Sequence, residues 1–182
     1  ISMIITISGQ IGAGKSTVTK QLAEKLNLKF YSMGSIRRKM ARSKKITLAE
    51  LNKIGENNPE SDLEVDNFQK ELGKKEDNFV LDSKLGYYFI PNSIKIFLKA
   101  DLDIRAQRVL NDKRKEEPFK NLKESIKFIK EREKSDLIRY KKYHNIKEIN
   151  ESEFDIILDT TNFKIEEAAN KIISLIKKGS VK

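Results

Sequence analysis

At 182 residues with a net charge of +10 and no cysteine, the chain is long enough for one domain with a sizeable core. A disulfide framework and thiol chemistry are excluded, and no apolar run has the length of a membrane span or the form of a signal peptide; a cytoplasmic, monomeric protein is expected. The lysines are interleaved with Glu and Asp along almost every predicted helix, with no basic arm and no aromatic cluster to stack bases, so the charge reads as a solvated surface that attracts small polyanions rather than as a nucleic-acid footprint.

In chain order, Ile1 and Ser2 precede Met3, the expected initiator, and read as an expression remnant. Met3 to Ser8 is a largely β-branched run that predicts a buried strand, and Val18, Leu22 and Leu26 recur at helical spacing in Ser16 to Leu26. Between them, Gly9-Gln10-Ile11-Gly12-Ala13-Gly14-Lys15-Ser16 fits the phosphate-binding loop at every fixed position. Glycines there let the backbone wrap around phosphates, so that successive N–H groups and the positive end of the helix dipole point at them. Gly9 to Thr17 are the expected ATP-binding residues, with Lys15 reaching the β- and γ-phosphates and the Ser16 hydroxyl on Mg²⁺.

Leu28 to Ser32 predicts a second strand, and helices follow over Gly34 to Ala41 and Leu48 to Glu56, the latter opened by a Thr47/Glu50 capping box. Asn58 and Pro59 open a helix to about Leu72. Asn78 to Asp82 and Ser93 to Lys99 predict strands, and Asp101 is the expected cap of a helix running through Val109. Residues 111–121, nearly all charged around Pro118, read as a mobile loop, and a long helix runs from Leu122 to about Tyr143. Phe154 to Leu158 is a fifth strand, and Ile165 to Ile176 a helix with Ile165, Ala168, Ala169, Ile172, Ile173 and Ile176 on one face. Five apolar strands separated by helices predict an α/β fold with a five-stranded parallel sheet covered on both sides. Ligands in such sheets bind at the carboxyl ends of the strands, so the glycine loop, Ser32, Asp82 to Lys84 and Asp159 to Phe163 should line one edge.

No Asn-Lys-x-Asp is present late in the chain to read guanine, which argues against a GTPase. Asp82 is placed to orient the Mg²⁺ shell, but Ser83 and Lys84 follow it where a hydrolytic ATPase usually carries a water-activating Glu. Transfer to a substrate is therefore favoured over hydrolysis. Arg132, Asp136 and Arg139, at i, i+4 and i+7, share one helix face that suits phosphate and a ribose or base, or else an ordinary charged face held by ion pairs. Arg105 and Arg108 carry the same ambiguity, and one of Arg37 and Arg38 is placed to face a bound monophosphate. His144, past the end of the long helix, reads as a solvated surface residue.

From Met3 onward the chain resembles the cytidylate kinase-like branch of the nucleoside monophosphate kinases, particularly its short archaeal-type members. The matching pieces run in order through residues 4–9, Ser32-Met33-Gly34-Ser35-Ile36-Arg37-Arg38, Asn58-Pro59-Glu60-Ser61-Asp62, Val65-Asp66-Asn67-Phe68-Gln69 and Val80-Leu81-Asp82-Ser83-Lys84-Leu85. They continue through residues 96–100, Glu131-Arg132-Glu133, Arg139-Tyr140-Lys141 and residues 154–160. The resemblance implies a three-layer α/β/α P-loop kinase with a helical monophosphate-binding subdomain over about 33–75 and a lid over about 111–121. It implies ATP and Mg²⁺, with Ser16 and Asp82 serving the metal and small nucleotides as partners.

By the same resemblance Arg38 and Lys84 clamp the acceptor phosphate with Ser32 also among the substrate-binding residues, Asp66 and Gln69 face its base, and Arg132, Asp136 and Arg139 bracket the sugar and the transferring phosphate. Arg108 would stack on adenine, Arg114 would close over the phosphates, and Asn162 and Phe163 would touch adenine, with a place in the core the equal alternative for Phe163. Three positions depart from the pattern: Lys84 stands where the family more often has Arg, Phe68 where Arg is expected, and Ser83 replaces a common Gly. The implied activity is transfer of the γ-phosphoryl of ATP to CMP or dCMP. The alternatives are another small acceptor (AMP, UMP or a metabolite) and a nucleotide-dependent binding factor with little transfer.

Overall fold

The computed structural model describes residues 3–112 and 119–179. Five strands, β1 (Ile4–Gly9), β2 (Lys29–Ser32), β3 (Phe79–Asp82), β4 (Ile94–Lys99) and β5 (Ile156–Asp159), form one all-parallel sheet in the order β2-β3-β1-β4-β5. β1 is central and buried along its whole length, the reason its sequence is continuously apolar apart from Thr6 and Ser8. Those two hydroxyls are satisfied inside the sheet, Thr6 by Ser93 and Ser8 by the Ser83 carbonyl.

Helices α1 (Lys15–Leu26) and α8 (Ile165–Lys177) cover one face, where Val18, Leu22, Ala168, Ala169 and Ile172 pack on Ile5, Ile7, Val80, Ile96 and Leu98. Helices α2 (Met33–Ser43), α3 (Leu48–Gly55), α4 (Glu60–Lys75) and the short α5 (Gly86–Phe89) lie between β2 and β4 in sequence, and Met33, Val65, Leu72 and Ile90 pack on Ile4, Phe79 and Leu81 of the other face. Helices α6 (Leu102–Leu110) and α7 (Leu122–His144) join through Ile11, Ala106 and Ile129. None of the helices among the described residues is long and apolar enough to cross a membrane.

The Thr47/Glu50 capping box forms, and Asn58 Oδ1 accepts from the Glu60 N–H at the start of α4. Asp101 is a correction: it occupies the cap position of α6 without a side-chain cap bond, and its own N–H donates to Thr161 Oγ1 instead, drawn across by the β5–α8 turn. Helix α5 was not expected, because Tyr87, Tyr88 and Phe89 favour strand locally; burial of Tyr87 against Phe97 and Phe154 overrides that preference.

The register aligns the strand ends that matter. Ser32 pairs with Asp82, Ile7 with Asp82, and Gly9 with Leu98, so the glycine loop, Ser32 and the Asp82 carboxylate emerge at one edge of the sheet. The expected switch-point location is thus built directly by the pairing.

Candidate active site

Residues 9–16 leave β1 and turn into α1, with Gly14 in the left-handed region as the cap. Gly12 also has positive φ, and a Cβ there would lie 2.5 Å from the Arg105 carbonyl, so only glycine lets the loop sit against α6. Arg105 holds the loop from beneath: Nη1 donates to the Ile11 carbonyl (3.2 Å) and to Glu133 (2.8 Å), and Nε to the Ala100 carbonyl. Its role here is to position the loop.

Lys15 Nζ donates to Asp82 Oδ1 at 2.7 Å, and Ser32 Oγ to Asp82 Oδ2 at 3.2 Å. Burial pushes the Asp82 carboxyl up, but Lys15, Ser16 and Ser32 outweigh it and hold it below its ordinary range. A buried carboxylate beside a serine hydroxyl is a hard oxygen pair of the kind Mg²⁺ accepts together with nucleotide phosphates. Among the described residues no group of three or more His, Cys, Asp or Glu side chains could form a protein-only metal cage.

A cavity of about 980 Å³ opens above this edge. Gln10, Ile11, Gly12, Gly14, Lys15, Ser16 and Thr17 form its floor; Gly9, Ala13 and Ser32 are not part of the lining. Arg108, Val109, Phe119 and Phe128 belong to its walls. Arg108 is tied to the β5–α8 turn through the Thr160 hydroxyl (3.0 Å) and carbonyl (2.7 Å). Phe119 and Phe128 form a tilted pair with centroids 4.8 Å apart, an aromatic wall that the charged sequence around it conceals. Arg114 lies outside the described residues, as does most of the expected lid. Asn162 is exposed, and Phe163 packs against the core.

The cavity is also lined by Arg38, Lys84, Arg132, Ser135 and Ile138, by Asn52 and Lys53 of α3, and by Glu56, which caps that helix. Of the triad on α7, Arg132 lines the cavity, whereas Asp136 and Arg139 are buried behind it in an ionic cluster. Arg139 bonds Asp62 and Asp136, Lys84 bonds Asp136, and Arg37 pairs with Asp62 at 3.3 Å. Arg37, with further bonds to Asn52 Oδ1 and the Ser61 carbonyl, is therefore structural, while Arg38 is the member of its pair that lines the cavity. Gly55 permits this convergence, since a Cβ there would lie 2.7 Å from Asp62 Oδ2.

The cluster sets three cations, Arg37, Lys84 and Arg139, against two carboxylates, Asp62 and Asp136. Burial raises the Asp136 carboxyl, but Lys84, Arg139 and Arg132 hold it low. Burial lowers the Lys84 ammonium to about 8, against the pull of Asp136. The excess positive charge faces a cavity that already presents Arg38, Arg132 and Lys15, an environment made for crowded anions.

Asp66 and Gln69 are buried and do not line the cavity: Gln69 Oε1 accepts from Ser83 Oγ at 2.5 Å, and Asp66 Oδ2 lies 2.9 Å from His144 Nε2. His144 is thus a correction. It ends α7 with its ring against Tyr88 and Phe89, and its partner lies 78 positions earlier, a distance no local pattern signals. Burial pushes the Asp66 carboxyl up to about 6, against the opposing pull of His144.

The fold and this cavity are those of a P-loop phosphotransferase, with the glycine loop opening onto an adjoining basic chamber. Solved structures agree on the fold: a shikimate kinase from Bacteroides thetaiotaomicron matches with a TM-score of 0.67 and 18% identity over 97% of this chain and 99% of the other. The model of the cytidylate kinase-like family matches residues 4–162. A cytidylate kinase of Methanobrevibacter smithii is 37% identical over 175 residues, covering 96% of this chain and 99% of the relative. One from Methanopyrus kandleri is 37% identical over 177 residues, covering 92% and 89%. The chain belongs to the cytidylate kinase-like family.

Proposed function

We propose that the chain transfers the γ-phosphoryl group of ATP to the 5′-phosphate of CMP, giving ADP and CDP. The observation that carries this reading is that the P-loop Lys15 lines one cavity together with Arg38, Lys84 and Arg132. An oxygen of the acceptor phosphate attacks the γ-phosphorus in line, and the bond to the β–γ bridging oxygen breaks. The attacking group is already anionic, so the protein has only to position it and to neutralise charge.

In this reading the loop amides and Lys15 hold the donor phosphates, while Arg38 and Lys84 hold the acceptor phosphate. Arg132 stabilises charge on the group in flight. Asp136 and Arg139 act from behind, fixing Lys84 and the α7 surface. Ser16 and Asp82 would hold Mg²⁺, which would supply neutralisation of the donor's phosphate charge. The 33–75 segment serves as the acceptor subdomain. The test is ADP formation from ATP–Mg²⁺ with CMP, dCMP, UMP, AMP, GMP and no acceptor. Turnover with CMP well above the acceptor-free rate is expected; equal slow release in every reaction would refute the reading.

A further inference from the structure

The cavity has a wall that no sequence motif marks. Asn52 of α3 and Glu56, the residue that ends α3 as its C-cap with φ and ψ still helical, are spaced i and i+4 and so share one face, and both line the cavity. The Asn52 side chain is buried (5% exposed), and its Oδ1 accepts from Arg37 Nη2 at 2.9 Å. A guanidinium can only donate, so the amide orientation is fixed with oxygen toward Arg37 and the NH₂ away from it. Arg37 is itself held by Asp62 and the Ser61 carbonyl. Among the described residues the Asn52 Nδ2 makes no hydrogen bond. The site therefore holds a pre-oriented, unsatisfied donor.

Glu56 is complementary. Its Oε2 accepts from Lys53 Nζ at 2.8 Å, and its side chain is 13% exposed. That lysine bond, the largest influence on it, keeps the carboxyl below its ordinary range, so it is an ionised acceptor at neutral pH. Asp66 and Gln69 have their oxygens engaged elsewhere and do not line the cavity.

We infer that Asn52 and Glu56 read the base of the acceptor, Asn52 Nδ2 donating to a ring-nitrogen acceptor and the Glu56 carboxylate accepting from an exocyclic amino group. This rests on the proposed nucleoside monophosphate kinase reading and names the part of the site that selects among acceptors. Cytosine presents that pair, N3 as acceptor beside N4–H₂ as donor. Uracil presents the reverse, N3–H facing an amide donor and O4 facing a carboxylate. A site built of fixed polar groups rejects such a mismatch steeply, because both its own groups are left unpaired.

The test is calorimetric binding of CMP and UMP, without ATP, to the wild-type chain, Glu56→Gln and Asn52→Asp, and the double variant. Michaelis constants for ATP and melting temperatures serve as controls. Wild type should bind CMP more tightly than UMP. Glu56→Gln should lower the CMP:UMP preference by roughly ten- to a hundredfold, the value of a hydrogen bond to a charged group. The double variant, which puts an acceptor at position 52 and a donor amide at position 56, should prefer UMP. A merely structural role would weaken both ligands equally and leave their ratio unmoved. A ratio within twofold of wild type in Glu56→Gln, with ATP kinetics and melting unchanged, overturns the inference while the kinase reading stands. A wild-type chain that binds ATP but neither monophosphate overturns both.

Discussion

Replacing Asp62 by Asn should unfold this protein at a markedly lower temperature, although Asp62 touches no nucleotide loop. Two guanidinium groups, Arg37 and Arg139, converge on this one carboxylate, and its side chain is only 9% exposed. Arg139 is 3% exposed, and burial together with repulsion from Arg139 already lowers Arg37. The substitution keeps size and one hydrogen-bond acceptor but removes the charge that offsets both cations, leaving three cations against Asp136 alone. Breaking a buried pair costs about 3–5 kcal/mol, and the retained acceptor favours the low end, about 3 kcal/mol. For a chain of this size about 2–4 °C of melting temperature is lost per kcal/mol, so a fall of roughly 6–12 °C is expected by calorimetry. Lys74→Ala is the matched control: it removes an ion pair to Glu71 in which the lysine is 71% exposed, worth within about 0.5 kcal/mol. If Asp62→Asn melts within about 2 °C of wild type, as such an exposed pair would, the cluster is not the stabilising element argued here.

Lys15→Met should lower kcat by about 10²–10³-fold, the scale of removing one charge-stabilising donor. Turnover near wild type with CMP would refute the role given to the P-loop lysine. The Lys84 ammonium sits at about 8 in the free protein, below its ordinary 10.5. A bound acceptor phosphate favours its charged form, so kcat/KM for CMP should fall as pH rises through about 8 while kcat at saturating CMP stays flat there. The stability effect has the opposite sense: between about 8 and 10.5 the unfolded chain holds the proton that the folded chain has lost, so this group's contribution to stability rises with pH over that window. A kcat/KM profile unchanged in Lys84→Met would show that the pH dependence has another source.

The glycine loop, the five strands, their helices apart from α5, and the meeting of the loop, Ser32 and Asp82 at one sheet edge were legible because each is written in local chemistry. Spacing of Val18 and Leu22 makes α1, β-branching makes β1, and positive φ at Gly12 and Gly14 makes the loop. Spacing also placed Arg132, Asp136 and Arg139 on one face of α7. It did not decide which of them lines the cavity. Tertiary packing sends Arg132 to the cavity and seals Arg139 behind it, because Asp62, 77 positions away, arrives on α4 to pair with it. The same applies to Asn52 and Glu56, an unremarkable amide and carboxylate until Arg37 orients one and the cavity closes over both, and to His144, whose partner Asp66 is remote. Periodicity and turn chemistry act over a few residues and can be read along the chain; a buried charge is placed by whichever distant group offsets its desolvation, and only the folded structure selects that group.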